Sequence, residues 1–228
     1  MASQPARSSN GTRAFSAPGW RPLVAETIAL IDFGAGNLYS VHNALKAAGA
    51  EATITADPEL VARADRIVLP GVGAFAACRA ALFAIDGMVE ALNARVRKDG
   101  VPFLGICVGM QMMAGTGHEH GKHHGLGWIA GSVTALDPAV REVRVPHMGW
   151  NAVSTDRRHD VVKDGEAYFL HSYAFEPTRT EDVIAVTDHG GPVVAAVGRD
   201  NMLGVQFHPE KSQGYGIAML ERFLTWAP

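Results

Sequence analysis

The stretch Val101-Pro102-Phe103-Leu104-Gly105-Ile106-Cys107-Val108-Gly109-Met110-Gln111 constrains this chain more than any other. An apolar run of strand length meets Gly105, a lone cysteine follows, and Gly109 opens a segment that reads as helix. The pattern is G-x-C-x-G, the thiol counterpart of the G-x-S-x-G nucleophile elbow. A side chain held at a sharp strand-to-helix turn needs small neighbours two residues away on either side, because a Cβ there crowds the turning backbone. The turn also presents the sulfur outward and leaves the Val108 amide at a helix start. There it can meet a developing oxyanion, and the helix dipole favours a thiolate. Taken alone, a buried packing cysteine beside two glycines explains the same residues, so a catalytic reading needs a base elsewhere in the chain.

The segments before the cysteine repeat one grammar. Residues 27–32 are a short apolar run ending in Phe33-Gly34-Ala35-Gly36-Asn37, and helical spacing follows in Leu38, Val41, Leu45 and Ala48. The G-x-G here lacks the third glycine of a dinucleotide fingerprint, Tyr39 standing in its place, so it reads as a tight turn. Ala50 to Thr55 reads as a second strand, and Asp57-Pro58 as an N-cap and first helical position. Arg66 to Leu69 runs into Pro70-Gly71-Val72-Gly73, where two glycines let a backbone amide swing inward as a second oxyanion donor. Phe75 to Leu82 and Gly87 to Lys98 read as helices, with Cys78 as a packing residue. The order β-α-β-α-β-α-β-α up to residue 115 argues a parallel sheet with helices on both faces. Ligands on such sheets collect at the carboxyl ends of strands, where all three glycine turns fall.

Gly115 to Gly127 reads as a solvated loop over the pocket, carrying His118, Glu119, His120, His123 and His124. No helix or hairpin is implied there, so the histidines argue weakly for a metal, and none is expected. From Trp128 onward the pattern is β-rich: Gly131 to Leu136, Glu142 to Val145, Pro146 to Asn151, Glu166 to Tyr173, Val183 to Thr187, Val193 to Val197 and Met202 to Phe207. Gly214 to Trp226 closes as an amphipathic helix. With no repeat and no internal linker, the expectation is an α/β protein. It has a single domain, 27–228, built on a central, mostly parallel, mixed sheet flanked by helices. Residues 1–26, rich in Ser, Ala, Pro, Gly and Arg and without an acidic residue before Glu26, read as a disordered extension. They also formally resemble a transit peptide.

Net charge is −3 with no basic stripe, which argues against nucleic acid and anionic membrane as partners. No apolar run approaches the roughly 18 residues of a membrane span. Two cysteines are too few for a disulfide framework and fit a reducing cytoplasm.

The base is supplied a hundred residues on. His208-Pro209-Glu210 places an imidazole and its orienting carboxylate within three residues. Pro209 denies helix, so the two side chains are expected to project to one side of an extended backbone. Together, Gly105 to Gln111 and Gln206-Phe207-His208-Pro209-Glu210 resemble the Cys-His-Glu signature of class I glutamine amidotransferases. Four further stretches are Asp32 to Asn37, Pro70 to Phe75, Pro146-His147-Met148-Gly149-Trp150-Asn151 and His208 to Ser212. They resemble one branch, the glutaminase subunits of imidazole glycerol phosphate synthases.

That resemblance implies Cys107 as nucleophile, His208 as proton carrier and Glu210 as its orienter. It implies an oxyanion hole from Val108 and from Val72 or Gly73. It places L-glutamine around Gly73, Gln111, Glu119, Ser172 and Tyr173, with Glu119 as counter-ion for the α-ammonium. It implies no cofactor. It also implies a separate (β/α)8-barrel cyclase that receives the ammonia through a tunnel, with Asn37, Met148, Trp150, Tyr168 and Lys211 at the interface or channel mouth. In the family, glutaminase activity stays low until the loaded partner acts, and a peptide flip in Pro70–Gly73 is a physically sensible switch. The nearest rivals are glutaminases of anthranilate or pyridoxal phosphate synthase, argued against by the Pro70–Gly73 loop and by His147–Asn151. A stand-alone γ-glutamyl hydrolase and a binding module without catalysis complete the alternatives.

Overall fold

Four strands bury every residue: β1 (Ile28–Ile31), β3 (Arg66–Gly71), β4 (Phe103–Cys107) and, late in the chain, β13 (Met202–Val205). Near-continuous apolar runs of this kind belong to strands covered on both faces. The computed structural model describes residues 26–228. With β2 (Ala52–Thr55) at the edge, these strands run parallel in the order β2-β1-β3-β4-β13, as the strand–turn–helix grammar predicts. The intervening helices are α1 (Leu38–Ala47), α2 (Pro58–Val61), α3 (Phe75–Phe83), α4 (Met88–Leu92) and α5 (Val108–Gln111). Asp57 caps α2 as expected, its carboxylate accepting from the Glu59 amide at 2.9 Å.

The remaining elements are β5 (Ala114–Gly117), β6 (His123–His124), β7 (Ile129–Ala135), α6 (Pro138–Arg141), β8 (His147–Thr155), β9 (Gly165–His171), β10 (Tyr173–Pro177), β11 (Val183–Asp188), β12 (Pro192–Arg199) and α7 (Gln213–Thr225). They depart from the sequence reading in several ways. The expected central mixed sheet is there, nine strands in the order β2-β1-β3-β4-β13-β12-β11-β8-β9, but a second sheet, β10-β7-β5-β6, joins it. The expected loop 115–127 contributes β5 and β6 to that second sheet, since their pairing is by backbone and their residues carry no apolar alternation to announce it. The expected strand 166–173 breaks at Ser172, where the chain leaves the large sheet as β9 and enters the small one as β10.

Two local expectations also change. Glu142 to Val145 is not a strand; Glu142 ends α6 at φ +55°, a left-handed position that stops regular pairing. The helix expected over Gly87–Lys98 is α4 followed by a π-turn, Asn93–Lys98. The C-terminal helix is held to β3 by Arg66, whose guanidinium donates to the Phe223 and Trp226 carbonyls at 2.9 and 2.8 Å. It also pairs with Glu26, the last residue of the proposed extension, at 2.7 Å. The rest of that proposed extension lies outside the described residues. Among the described residues no helix is long and apolar enough to cross a membrane.

Candidate active site

Because β3, β4 and β13 are adjacent and parallel, Gly71 pairs with Cys107 and Val205 with Ile106. The Pro70–Gly73 loop, the cysteine and the Gln206–Glu210 turn therefore leave one edge of the sheet side by side. Cys107 itself sits at φ +55° and ψ −111°, a strained conformation for a residue with a Cβ. The glycines of the motif earn their places by close approach. A Cβ on Gly105 would stand 2.7 Å from the Gly109 carbonyl oxygen, and one on Gly109 would run into the Leu69 carbonyl oxygen. The requirement for small neighbours, drawn from the spacing alone, is met in backbone atoms. The helix after the elbow is shorter than the sequence suggests, a single turn, and leaves Val108 as its first residue.

His208 lies just beyond β13, and its Nδ1 donates to Glu210 Oε1 at 2.8 Å. Both side chains are almost wholly enclosed. The backbone between them is not extended as expected: Pro209–Lys211 form a 3₁₀ turn with His208 as the extended residue before it. Proline fits the first position of such a turn because its missing N–H has no partner there anyway. The turn is pinned from outside, the His208 amide donating to the Tyr168 carbonyl at 2.9 Å and Ser212 Oγ to the His208 carbonyl at 2.6 Å. Burial pushes the imidazole pKa down, but hydrogen bonds and charge from Cys107 and Glu210 outweigh it and lift the value to about 10. A cationic imidazole beside the sulfur and a carboxylate is the arrangement a thiolate nucleophile requires. Glu210 Oε2 is buried with no partner among the described residues.

These groups open on a cleft of about 300 Å³. Its lining includes Cys107, His208, Val108, Val72, Gly73, Gln111, Glu119, Ser172, Tyr173 and Lys211. Every sequence-selected substrate and oxyanion residue therefore faces one space. Glu119 turns inward as expected, and its carboxylate also accepts from the Phe75 amide at the start of α3 at 2.7 Å. Cys78 is buried behind the loop, its thiol donating to the Val72 carbonyl at 3.3 Å, and burial followed by the charges of Cys107 and Glu119 pushes it up to about 11. It is a packing thiol, as expected, with the added task of orienting the Val72–Gly73 peptide.

The partner-facing selections divide. Met148 pairs with Leu170 and Trp150 with Tyr168 across β8 and β9, so their side chains share a face. Met148 is 64% and Trp150 48% exposed, and Lys211 Nζ lies 5.9 Å over the Tyr168 ring. Asn37 lies on the turn after β1, at the start of α1, and α1 packs against the Pro209–Lys211 turn. Sequence reasoning gave no role to Gln206, fully buried with its amide nitrogen 3.7 Å from Cys107 Sγ, or to His171, which lines the cleft. A polar residue inside the apolar run Met202–Phe207 was the available signal for Gln206. Among the described residues no three His, Cys, Asp or Glu side chains converge closely enough to hold a metal ion.

The family model for glutamine amidotransferase class-I matches residues 29–226. The chain belongs to the class-I glutamine amidotransferases. Among relatives of this amidotransferase, imidazole glycerol phosphate synthase subunit HisH of Zymomonas mobilis is 58% identical over 90% of this chain and 98% of its own length. The subunit of the same description from Caulobacter vibrioides is 53% identical over 89% of this chain and 100% of its own length. A structure of PurLQS from Thermotoga maritima shares the amidotransferase fold at a TM-score of 0.70 and 16% identity, covering 89% of this chain and 99% of that one.

Proposed function

We propose that this amidotransferase is the glutaminase subunit of an imidazole glycerol phosphate synthase. It hydrolyses L-glutamine to glutamate and ammonia and passes the ammonia to a separate (β/α)8-barrel cyclase, which forms imidazole glycerol phosphate and aminoimidazole carboxamide ribotide in histidine biosynthesis. The observation that carries the reading is the pairing of a left-handed Cys107 with a buried His208–Glu210 pair at one sheet edge. Its restriction to this synthase is supported by 58% and 53% identity, over about nine-tenths of the chain, to subunits so described. The amidotransferase domain of this reading is 27–228, and its location is the cytoplasm, which suits two unpaired cysteines.

Cys107 sulfur attacks the side-chain amide carbon, and the tetrahedral oxyanion is held by the amides of Val108 and of Val72 or Gly73. His208 carries the proton of the thiol to the departing nitrogen, so the C–N bond breaks and ammonia leaves a glutamyl thioester. Water, deprotonated by the same imidazole, then adds to the thioester and frees glutamate and thiol. Glu210 fixes the tautomer of His208 and stabilises its cation. Gly73, Gln111, Glu119, Ser172 and Tyr173 bind the glutamine, Glu119 facing its α-ammonium. Met148, Trp150, Tyr168, Lys211 and Asn37 meet the cyclase.

The test uses the complex. Cys107→Ala should abolish glutamine-dependent synthesis, a fall of about 10⁴ or more, while sparing synthesis from added ammonia. Loss of both activities, or full glutaminase turnover by the isolated chain with no response to a loaded cyclase, would sink the reading.

A further inference from the structure

Between the β8–β9 hairpin and the nucleophile runs a buried line of amides and imidazoles. Gln206 Nε2 lies 3.7 Å from Cys107 Sγ, and the Gln206 side-chain oxygen accepts from Gln111 Nε2 at 3.1 Å. Gln111 Nε2 donates its other hydrogen to the Tyr173 carbonyl at 3.0 Å. The same carbonyl lies 2.9 Å from His171 Nδ1. A carbonyl only accepts, so His171 carries its proton on Nδ1 and offers Nε2 as acceptor. His147 Nδ1, 3.0 Å from that Nε2, is then the donor, and His147 Nε2 accepts from Asn151 Nδ2 at 3.1 Å. Asn151 gives its second hydrogen to the Asp188 carbonyl at 2.7 Å.

Each group in this line has one available role. Turning the Gln206 amide over would set its NH₂ against that of Gln111 and its oxygen against the sulfur. Burial, reinforced for both rings by neighbouring histidines, keeps His171 and His147 neutral down to about 3 and about 4, as the single tautomers demand. His147 is also clamped between the rings of Phe169 and His189, at 4.7 and 4.0 Å between centroids. It belongs to the strand that carries the exposed Met148 and Trp150.

We propose that Gln206 is a further functional residue of the site, a fixed hydrogen-bond donor to the nucleophilic sulfur, and that His171 on β9, braced by His147 on β8, is a positioning residue: it anchors the Tyr173 carbonyl that orients Gln111 and, through it, Gln206. The proposal rests on the glutaminase reading above. A donor at the sulfur favours the thiolate and selects one direction for it, so its loss lowers the reactivity of the sulfur itself.

Two readouts test it. The first is the rate at which iodoacetamide alkylates Cys107 in the full isolated chain at neutral pH, measured by mass spectrometry beside thermal unfolding. Gln206→Met should slow alkylation about 10-fold. His171→Phe should slow it several-fold, and His171→Gln, which can both accept and donate, should recover to within about twofold of the parent. The second is glutamine turnover in the cyclase complex, where Gln206→Met should lower kcat about 10- to 100-fold. A folded Gln206→Met alkylated at the parent rate overturns the proposal. Where Gln206→Met does not fold, the His171 pair decides: equal rates for His171→Phe and the parent overturn it. Retention of glutaminase activity by the alkylated parent would instead sink the glutaminase reading and leave the order of alkylation rates untouched.

Discussion

The β4–α5 elbow and the β8–β9 hairpin both border the cleft, yet they are built on opposite principles. At the elbow every residue from Phe103 to Gln111 is buried, and glycines press backbone on backbone. On the hairpin Met148, Trp150 and Leu170 are exposed, with an aromatic edge contact between Trp150 and Tyr168 at 6.2 Å. Apolar surface left open beside the cleft is unfavourable for an isolated chain and suits one that is covered by a partner. The elbow should thus answer to mutation through folding and chemistry, the hairpin through association.

The largest expected effect is at the elbow. Gly109→Ala drives a Cβ into the Leu69 carbonyl and should cost more than about 4 kcal/mol or prevent folding, read from soluble yield and thermal unfolding. A parent-like melting curve would show that the backbone there is less tightly packed than drawn. Glu210→Gln, which keeps volume and removes the charge beside His208, should lower kcat of the complex by about 10²- to 10⁴-fold; unchanged turnover would remove the carboxylate from the mechanism. On the hairpin Trp150→Ala should leave stability within about 0.5 kcal/mol and weaken cyclase binding about 30-fold. A large loss of stability with unchanged binding would erase the contrast.

Between the two regions lies a pH test. Burial first, and then neighbouring histidines, hold His171 at about 3, below the usual 6.5, although its bond to the Tyr173 carbonyl works the other way. The unfolded chain therefore takes up this proton first. The stability is fully present above pH 6.5 and is lost as pH falls towards 3, with a slope of about 1.4 kcal/mol per unit. His171→Gln should flatten that slope in acid unfolding curves, and an unaltered slope would contradict the buried neutral ring. The smallest effect belongs to Lys211→Ala, with stability within about 0.5 kcal/mol and a few-fold weaker complex by titration.

What could be read in advance was whatever is local and covalent in its logic. Strand, glycine turn and helix succeed one another within short windows, so β1 to α5 were legible, and G-x-C-x-G imposes its backbone contacts on any sequence that carries it. His208 and Glu210 are near neighbours in sequence, and only the 3₁₀ turn between them escaped. The second sheet was hidden because β5, Ala114–Gly117, pairs through its backbone and gives no side-chain alternation. The break at Ser172 was hidden because Ala167 to Leu170 before it and Tyr173 after it are apolar or aromatic, and a change of sheet leaves no mark on such a run. The line from Asn151 to Gln206 depends on five segments meeting in space, which no periodicity encodes.

Ser172, where the chain passes from one sheet to the other, has a mechanical consequence. Cys107 and His208 are anchored to the nine-stranded sheet, whereas Glu119 sits on the turn between β5 and β6 of the four-stranded one. Under the glutaminase reading, a glutamine held by Cys107 and Glu119 spans the line between two sheets that share one apolar core, so the substrate bridges elements that packing alone already joins.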